Sequence, residues 1–419
     1  MMRTPTVLCD IVQAYGPTSG GIRTYIDAKR QYFSRQGDRF RHVLVVPGAE
    51  DAVERAGSLT TYSIRAPRVP GTGGYRFTPR MDRVLSVLSM ETPDIIEVGS
   101  PYLMPWVAMA HRRRSGCLVI GHYHTDFPDA YVASGVERLL GRSFVGRLAR
   151  DAAVGVASSY ARSVYSKCDV VITGSRALRD KLGAMGIRRV CLNPLGVDLE
   201  LFHPKRRDHE LRRRLGASDL SRILIYAGRL DCEKRPDWVL DAFLQTPDYY
   251  YAHLVIVGEG PLRQQLAREA SSRANVHVLP YLEDKAELAR YLASSDVYVT
   301  AGAHETFGLS VLEAQAAGLP VVGVRAGALV DRVGGDEGLL AEPNSRDHLA
   351  SCLQRALRSD LQAMGSRARA RVEREFGWGR CFERWIDVCE SVRSLGASVE
   401  GHPVKRRVAA ELAAQFSDS

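Results

Sequence analysis

Apolar residues along this chain gather in short runs separated by stretches of helical periodicity, and the alternation occurs twice. TVLCDIV, HVLVVP, DIIEVG and CLVIGHY predict strands in the first half. RILIYAG, AHLVIVG, VHVLP, DVYVTAG and LPVVGV predict strands in the second. Between the latter, WVLDAFL, PLRQQLAREA, KAELARYLASS and GLSVLEAQAAG carry apolar positions at helical spacing. Near-continuous apolar strands that lack in–out alternation belong to parallel sheets covered on both faces. KCDVVITGS in the first half echoes SSDVYVTAG in the second, as a duplication would, although any buried strand after a helix reads much the same way. Pro194, Gly196 and Pro204 interrupt both periods near residues 193–210, so the domain boundary falls there. Beyond residue 345 the pattern is helical only. The resulting organisation is α/β: a domain over 1–195, a linker over 196–205, a second domain over 206–376, a helix over 377–397 and a tail over 398–419.

Composition narrows the class. A chain of 419 residues is long for one core, and 45% hydrophobic with 25% charged residues excludes a disordered or fibrous protein. No run of apolar residues is long enough to span a membrane, and TVLCDIV is too short and too polar at Asp10 for a secretory signal. Eight cysteines without CxxC or zinc spacing fit reduced thiols in a cytoplasmic protein. The net charge of +9 is uneven: residues 1–200 hold 27 Lys and Arg against 18 Asp and Glu, whereas the remainder is balanced at 30 against 30. A basic first half favours an anionic ligand or surface there. Aromatics do not interleave with the runs HRRR and RRDHELRRR, so nucleic acid is not the expected partner.

Four segments carry chemistry. ETFGLSVLE (305–313) lies between a predicted buried strand and a helix, where open α/β sheets bind ligands. The N–H groups from Phe307 to Ser310, past Thr306 and across Gly308 and Leu309, would stand at the helix start and accept a phosphate. Glu305 and Glu313 flank that position and suit a ligand bearing hydroxyls as well as phosphates. In YAGRLDCEKRPDW, Arg229 and Lys234 follow a strand of the same predicted sheet, placed to neutralise a diphosphate. Taken alone, the pair reads as well as a solvated loop. GPTSGGIRTYIDAK offers Gly20 and Gly21 for close backbone approach to a phosphate, and VGEGPLRQQ offers Gly258, although Arg263 leaves the dinucleotide fingerprint incomplete. GHYHTDFPDAY brings His122, His124 and Asp126 to the end of a strand, a cluster for orienting a sugar or moving a proton. Zinc is a weaker reading, since no third ligand is identifiable and D-x-D is absent from the chain.

With these segments in this order, the sequence resembles the retaining nucleotide-sugar glycosyltransferases of family 4, over nearly the whole chain. HTDFP is similar to a subgroup of bacterial α-mannosyltransferases and glycolipid synthases. The resemblance implies the GT-B fold, two Rossmann-like domains facing across a cleft, with the late helix crossing back to the first. It implies a donor diphosphate between Arg229, Lys234 and the amides at Thr306, Phe307, Gly308 and Leu309. Glu305 and His124 would contact the transferred sugar, Glu313 the ribose, and Gly258, Tyr281 and Leu282 the base, with Gly20 and Gly21 also on the donor. RAGALVDRVGG departs from the family's usual Gly-Gly-Pro turn. No carboxylate is placed as a nucleophile, so front-face transfer is expected, without metal or other cofactor, from a GDP-mannose or UDP-sugar donor to a lipid, lipid-linked or saccharide hydroxyl. A phosphorylase on the same fold and a non-catalytic sugar-nucleotide binder are the alternatives. GVERLLGRSFVGRLARDA (135–152) predicts a helix with Arg138, Arg142, Arg147 and Arg150 beside an apolar face, suited to peripheral contact with the inner face of an anionic membrane. Packing of that helix on its own domain is the plainer expectation.

Overall fold

The computed structural model describes residues 4–397 apart from 14, 16–19, 70–74, 127, 134, 137–139, 142 and 248–250. The expected tail from 398, Arg138 and Arg142 lie outside the described residues. The chain forms two compact units, Met1–Pro194 with the chain from Cys381, and Leu195–Arg380.

Among the described residues the first unit holds eight strands: β1 Thr6–Ile11, β2 Phe40–Gly48, β3 Ala52–Ala56, β4 Leu59–Arg65, β5 Ile95–Val98, β6 Leu118–His122, β7 Val170–Thr173 and β8 Val190–Leu192. Their order is β3-β4-β2-β1-β5-β6-β7-β8. All pairings are parallel except the β3–β4 hairpin. The second unit holds six: β9 Arg222–Ala227, β10 Ala252–Val257, β11 Val276–Leu279, β12 Val297–Val299, β13 Val321–Val324 and β14 Gly338–Ala341. These run parallel in the order β11-β10-β9-β12-β13-β14. Each sheet is therefore doubly wound and reverses its winding once, between β1 and β5 in the first and between β9 and β12 in the second. A crevice opens at the carboxyl ends of strands where winding reverses, because the flanking connections leave in opposite directions.

Cores on both faces explain the unbroken apolar runs. In the first unit one face packs Val43, Ile96, Val119 and Val171 with Leu88 and Tyr165. The other packs Leu8, Ile95, Ile120 and Ile172 with Phe33 and with Trp385, Val388 and Cys389 of the Trp378–Ala397 helix. That helix is further held by Asn193, whose Nδ2 donates to the Cys381 carbonyl at 3.2 Å. In the second unit Ile223, Ile225 and Val255 face one core, and Leu224, Leu254 and Ile256 the other. Each such side chain contributes about 1.5–3 kcal/mol by leaving water.

The expected helix over 135–152 is not one helix. Gly141 turns the chain with φ +66°, and a new helix, Phe144–Tyr165, starts on a Ser143 cap whose hydroxyl accepts from Gly146 N at 3.1 Å. Its second half packs on the domain through Ala157, Ala161, Val164 and Tyr165, whereas four of its larger apolar side chains face outward: Phe144 is 74%, Val145 69%, Leu148 65% and Val156 72% exposed.

The first unit buries charge as well as oil. Asp10 on β1 lies opposite Glu97 on β5, and Lys29 from the Gly20–Ser34 helix reaches both, at 2.8 and 2.9 Å. Asp10 also bonds His42 at 2.6 Å, while Glu97 accepts from Trp385 Nε1 at 2.6 Å, Tyr25 at 3.3 Å and His122 Nδ1 at 2.9 Å. Burial alone would raise the Glu97 carboxyl, but Lys29 and His122 hold it well below the ordinary carboxylate range. A carboxyl depressed in the folded state stabilises above its unfolded value, and that contribution is lost as pH falls through the folded value. Glu97→Gln is expected to cost about 3–5 kcal/mol at neutral pH by leaving Lys29 half-paired. Urea unfolding at neutral and at acid pH checks this: the gap between variant and wild type should narrow below the carboxylate range.

Candidate functional site

The second unit's crevice is built by the two loops that leave β9 and β12, adjacent parallel strands paired at Leu224–Val297. After β9, Asp231 accepts from the backbone N–H groups of Glu233 and Lys234, at 3.1 and 3.0 Å, and Tyr226 donates to the Arg229 carbonyl at 2.7 Å. These bonds fix the loop before the Pro236–Leu244 helix begins. After β12, the chain passes Gly302 to Glu305 and turns at Gly308, φ +71°, into the Leu309–Ala316 helix.

Lys234 and Glu305 meet across the crevice, Nζ to Oε2 at 2.8 Å, with both side chains mostly buried. Glu305 Oε1 also accepts from Gly308 N at 3.1 Å. Burial opposes both charges, yet each stabilises the other: Lys234 is shifted up chiefly by Glu305, and Glu305 down by Lys234 and by the Gly308 and Phe307 amides. The pair is therefore ionised at neutral pH. Arg229, 60% exposed on the same loop, is paired with Asp231 at 2.5 Å and Glu233 at 2.8 Å. Glu313, one helical turn beyond Leu309, has its carboxyl pushed up to about 7 by desolvation, against which Lys285 acts. An anion entering here would find an ammonium and a helix start together, the combination that binds phosphate.

Gly258 serves the chain itself. A Cβ there would lie 1.9 Å from the Gly228 carbonyl, so the turn after β10 is bare to admit the loop that carries Arg229. Tyr281 is exposed and Leu282 half-buried after β11. In the first unit Gly20 starts the Gly20–Ser34 helix, followed by Gly21, while residues 16–19 before it lie outside the described set. His124 stacks on His122 with ring centroids 3.8 Å apart and is only 4% exposed. Burial, reinforced by His122, lowers its pKa well below the usual imidazole value, so the ring is neutral. Glu97, His122 and His124 bring three ligand-type atoms within 4.8 Å of one another. Glu97 there accepts from Lys29, Trp385 and His122.

The segment RAGALVDRVGG supports the crevice in ways its pattern does not announce. Ala328 N donates to the Glu305 carbonyl at 2.7 Å, and buried Arg332 donates to the Phe307 carbonyl at 3.0 Å. Gly327, φ +55°, would place a Cβ 2.5 Å from that Glu305 carbonyl. Gly327→Ala should therefore destabilise the protein by about 1–3 kcal/mol, through positive-φ strain and displaced backbone. A thermal midpoint within a degree or so of wild type, on the scale where about 1 kcal/mol moves a domain by a few degrees, would contradict the packing described.

Comparison with known proteins follows the same division. Residues 19–201 match the family described as Glycosyltransferase Family 4, and residues 208–371 match Glycosyl transferases group 1. The chain is 32% identical over 374 residues to the GDP-mannose-dependent α-(1-6)-phosphatidylinositol dimannoside mannosyltransferase of Mycobacterium tuberculosis, covering 88% of this chain and 92% of the relative. It is 28% identical to the GDP-mannose-dependent α-mannosyltransferase of Corynebacterium glutamicum, covering 81% and 77%. The sucrose-phosphate synthase structure from Thermosynechococcus elongatus superposes with a TM-score of 0.74 at 22% identity, over 94% of this chain and all of that one. Anabaena HepE in complex with UDP and glucose superposes at 0.69 with 17% identity, over 92% and 99%. The fold is shared with both.

Proposed function

The chain belongs to the glycosyltransferases formed of Family 4 and group 1 halves, with the GT-B fold, and from that premise we propose that it moves a mannosyl group from GDP-mannose to a hydroxyl of a lipid, lipid-linked or saccharide acceptor, with retention of configuration. The observation that carries the reading is the Lys234–Glu305 pair beside the start of the Leu309–Ala316 helix. The relatives' names supply GDP-mannose as the donor to test.

In this reading the donor diphosphate lies on the amides of Phe307, Gly308 and Leu309 and takes Lys234 as counter-ion, with Arg229 turning from its acidic neighbours to the outer phosphate. Thr306 lines the same turn. The C1–O bond to the diphosphate breaks, the acceptor oxygen bonds C1 on the same face, and the acceptor proton passes to the departing phosphate oxygen. Negative charge thus grows where Lys234 and the helix start stand, which is where fixed charges lower a barrier. Glu305, kept ionised, accepts from sugar hydroxyls and offsets positive charge at C1. His124, a neutral imidazole, serves the sugar as a hydrogen-bonding group rather than as an acid. Glu313 serves the ribose, Tyr281 and Leu282 the base, and Gly20 and Gly21 offer a bare helix start for close backbone approach to a phosphate. Gly258 acts by admitting the Arg229 loop.

Peripheral attachment to an anionic membrane completes the proposal. No helix among the described residues is long and apolar enough to cross a membrane. The exposed Phe144, Val145 and Leu148, next to exposed Arg147, form the apolar and basic surface that rests at a headgroup layer.

Glu305→Gln and Lys234→Ala should each lower kcat by at least about 100-fold in protein shown to be folded at the assay temperature, since both act on charge that develops during reaction, and each should also lower thermal stability by leaving the other charge of a buried pair unpaired. Steady-state kinetics with GDP-mannose and a phosphatidylinositol mannoside acceptor, following GDP release, check this. Release of mannose 1-phosphate instead would identify a phosphorylase. Turnover should survive EDTA, because Lys234 and the helix start hold the diphosphate; complete loss restored by Mg²⁺ or Mn²⁺ would contradict that part of the proposal.

A further inference from the structure

The first unit has a second anion-sized feature, on the sheet edge opposite its switch point. A cavity of about 1010 Å³ opens between the end of the Met104–Ser115 helix, the end of the Phe144–Tyr165 helix and the approaches to β7 and β8. These approaches are at the amino ends of the strands, whereas His122 and His124 stand at the carboxyl end of β6. The length of β7, on the order of 13 Å, separates the two edges.

Charge in the cavity is one-sided. Its walls carry Arg112, Arg113, Arg162, Lys167, Arg188 and Arg189 against one carboxylate, Asp169. Asp169 is already committed: its Oδ2 accepts from Arg112 at 2.8 Å and from Val119 N at 2.8 Å. Arg189 donates to the Asp169 carbonyl at 3.4 Å, and Lys167 to the Ser163 carbonyl at 3.0 Å. Among the described residues no carboxylate pairs with Arg113, Arg162, Lys167, Arg188 or Arg189. Elsewhere the surface pairs its arginines freely, as Arg80 with Asp51, Arg346 with Asp237 and Arg290 with Asp208. Five uncompensated cations around one concavity repel one another, and an anion entering the cavity removes that repulsion and gains charge-assisted hydrogen bonds. Trp106 forms one wall, with Lys167 Nζ 5.4 Å from its ring, and Ser159 and Ser166 add hydroxyl donors.

We infer that this cavity binds a multiply charged phosphate group, separate from the donor site and not used by the reaction above. The phosphate belongs either to a free metabolite or to a lipid headgroup. The helix that supplies Ser159 and Arg162 also carries the exposed Val156 one turn upstream of the cavity.

Two arms of one experiment test this. Pyrophosphate is titrated by calorimetry into protein carrying Lys234→Ala, which weakens the donor diphosphate site, so that binding lost with the cavity cations is read apart from it. In parallel, the wild type is sedimented with phosphatidylcholine vesicles with and without phosphatidic acid. The same measurements follow for Arg113→Gln/Arg162→Gln/Arg188→Gln, three exposed positions whose loss leaves the core untouched, and for Arg147→Gln as a cation outside the cavity. Saturable pyrophosphate binding, or phosphatidic acid-dependent sedimentation, that weakens roughly tenfold or more in the triple variant and little in Arg147→Gln supports the site. The first arm alone identifies a free ligand, and the second alone a headgroup. Absence of both signals overturns the inference, as does binding that the triple variant retains.

Discussion

Lys234 and Glu305 are 71 residues apart in sequence, and the 2.8 Å bond between them closes the crevice where the second sheet reverses its winding. Two mostly buried charges can stand there only as partners, because either one alone would bear its desolvation uncompensated. Most of the surrounding backbone serves that requirement. The Asp231 turn aims Lys234, the Gly308 turn returns an amide to Glu305, and Ala328 holds the Glu305 carbonyl from behind. The partnership also fixes what the crevice can receive. On the proposed function, an incoming diphosphate would replace one carboxylate partner of the ammonium with another anion, so the charge would be in position before the ligand arrives.

The first unit shows the same principle with less access to solvent. Glu97, at the reversal between β1 and β5, accepts from Lys29, Trp385, Tyr25 and His122, and His122 supports the stacked His124. Trp385 belongs to the Trp378–Ala397 helix, so a residue 288 positions away in sequence contributes a hydrogen bond to the centre of the first sheet. The stacked His124 imidazole is kept neutral by burial, reinforced by His122, rather than by its own chemistry.

Much of this was legible from local pattern. The apolar runs mark the central strands because these are buried on both faces, and ETFGLSVLE sits in the loop-to-helix position that its neighbours predict. The edge hairpin β3–β4 escaped notice because β3 is exposed, and β8 and β14 because, as edge strands buried only in part, they lack the continuous apolar run of the central strands. Pairings across long separations were not legible either. Asp10 and Glu97 look like isolated acids inside two apolar strands until the register sets them side by side over Lys29. Gly258 reads as a ligand glycine, yet its missing side chain makes room for Gly228, a contact fixed by tertiary packing. The helix expected over 135–152 breaks at Gly141–Ser143, since a glycine and a capping serine outweigh continued periodicity.

In the proposed reaction Lys234 is the diphosphate's counter-ion and Glu305 a partner of the sugar. Calorimetric binding of GDP, which has the diphosphate and lacks the sugar, to the wild type, Lys234→Ala and Glu305→Gln separates these roles. Lys234→Ala should weaken GDP by roughly tenfold or more, while Glu305→Gln, freeing the ammonium, should bind GDP as tightly as wild type or tighter. Unchanged affinity in Lys234→Ala, or equal weakening in both variants, would contradict the assignment.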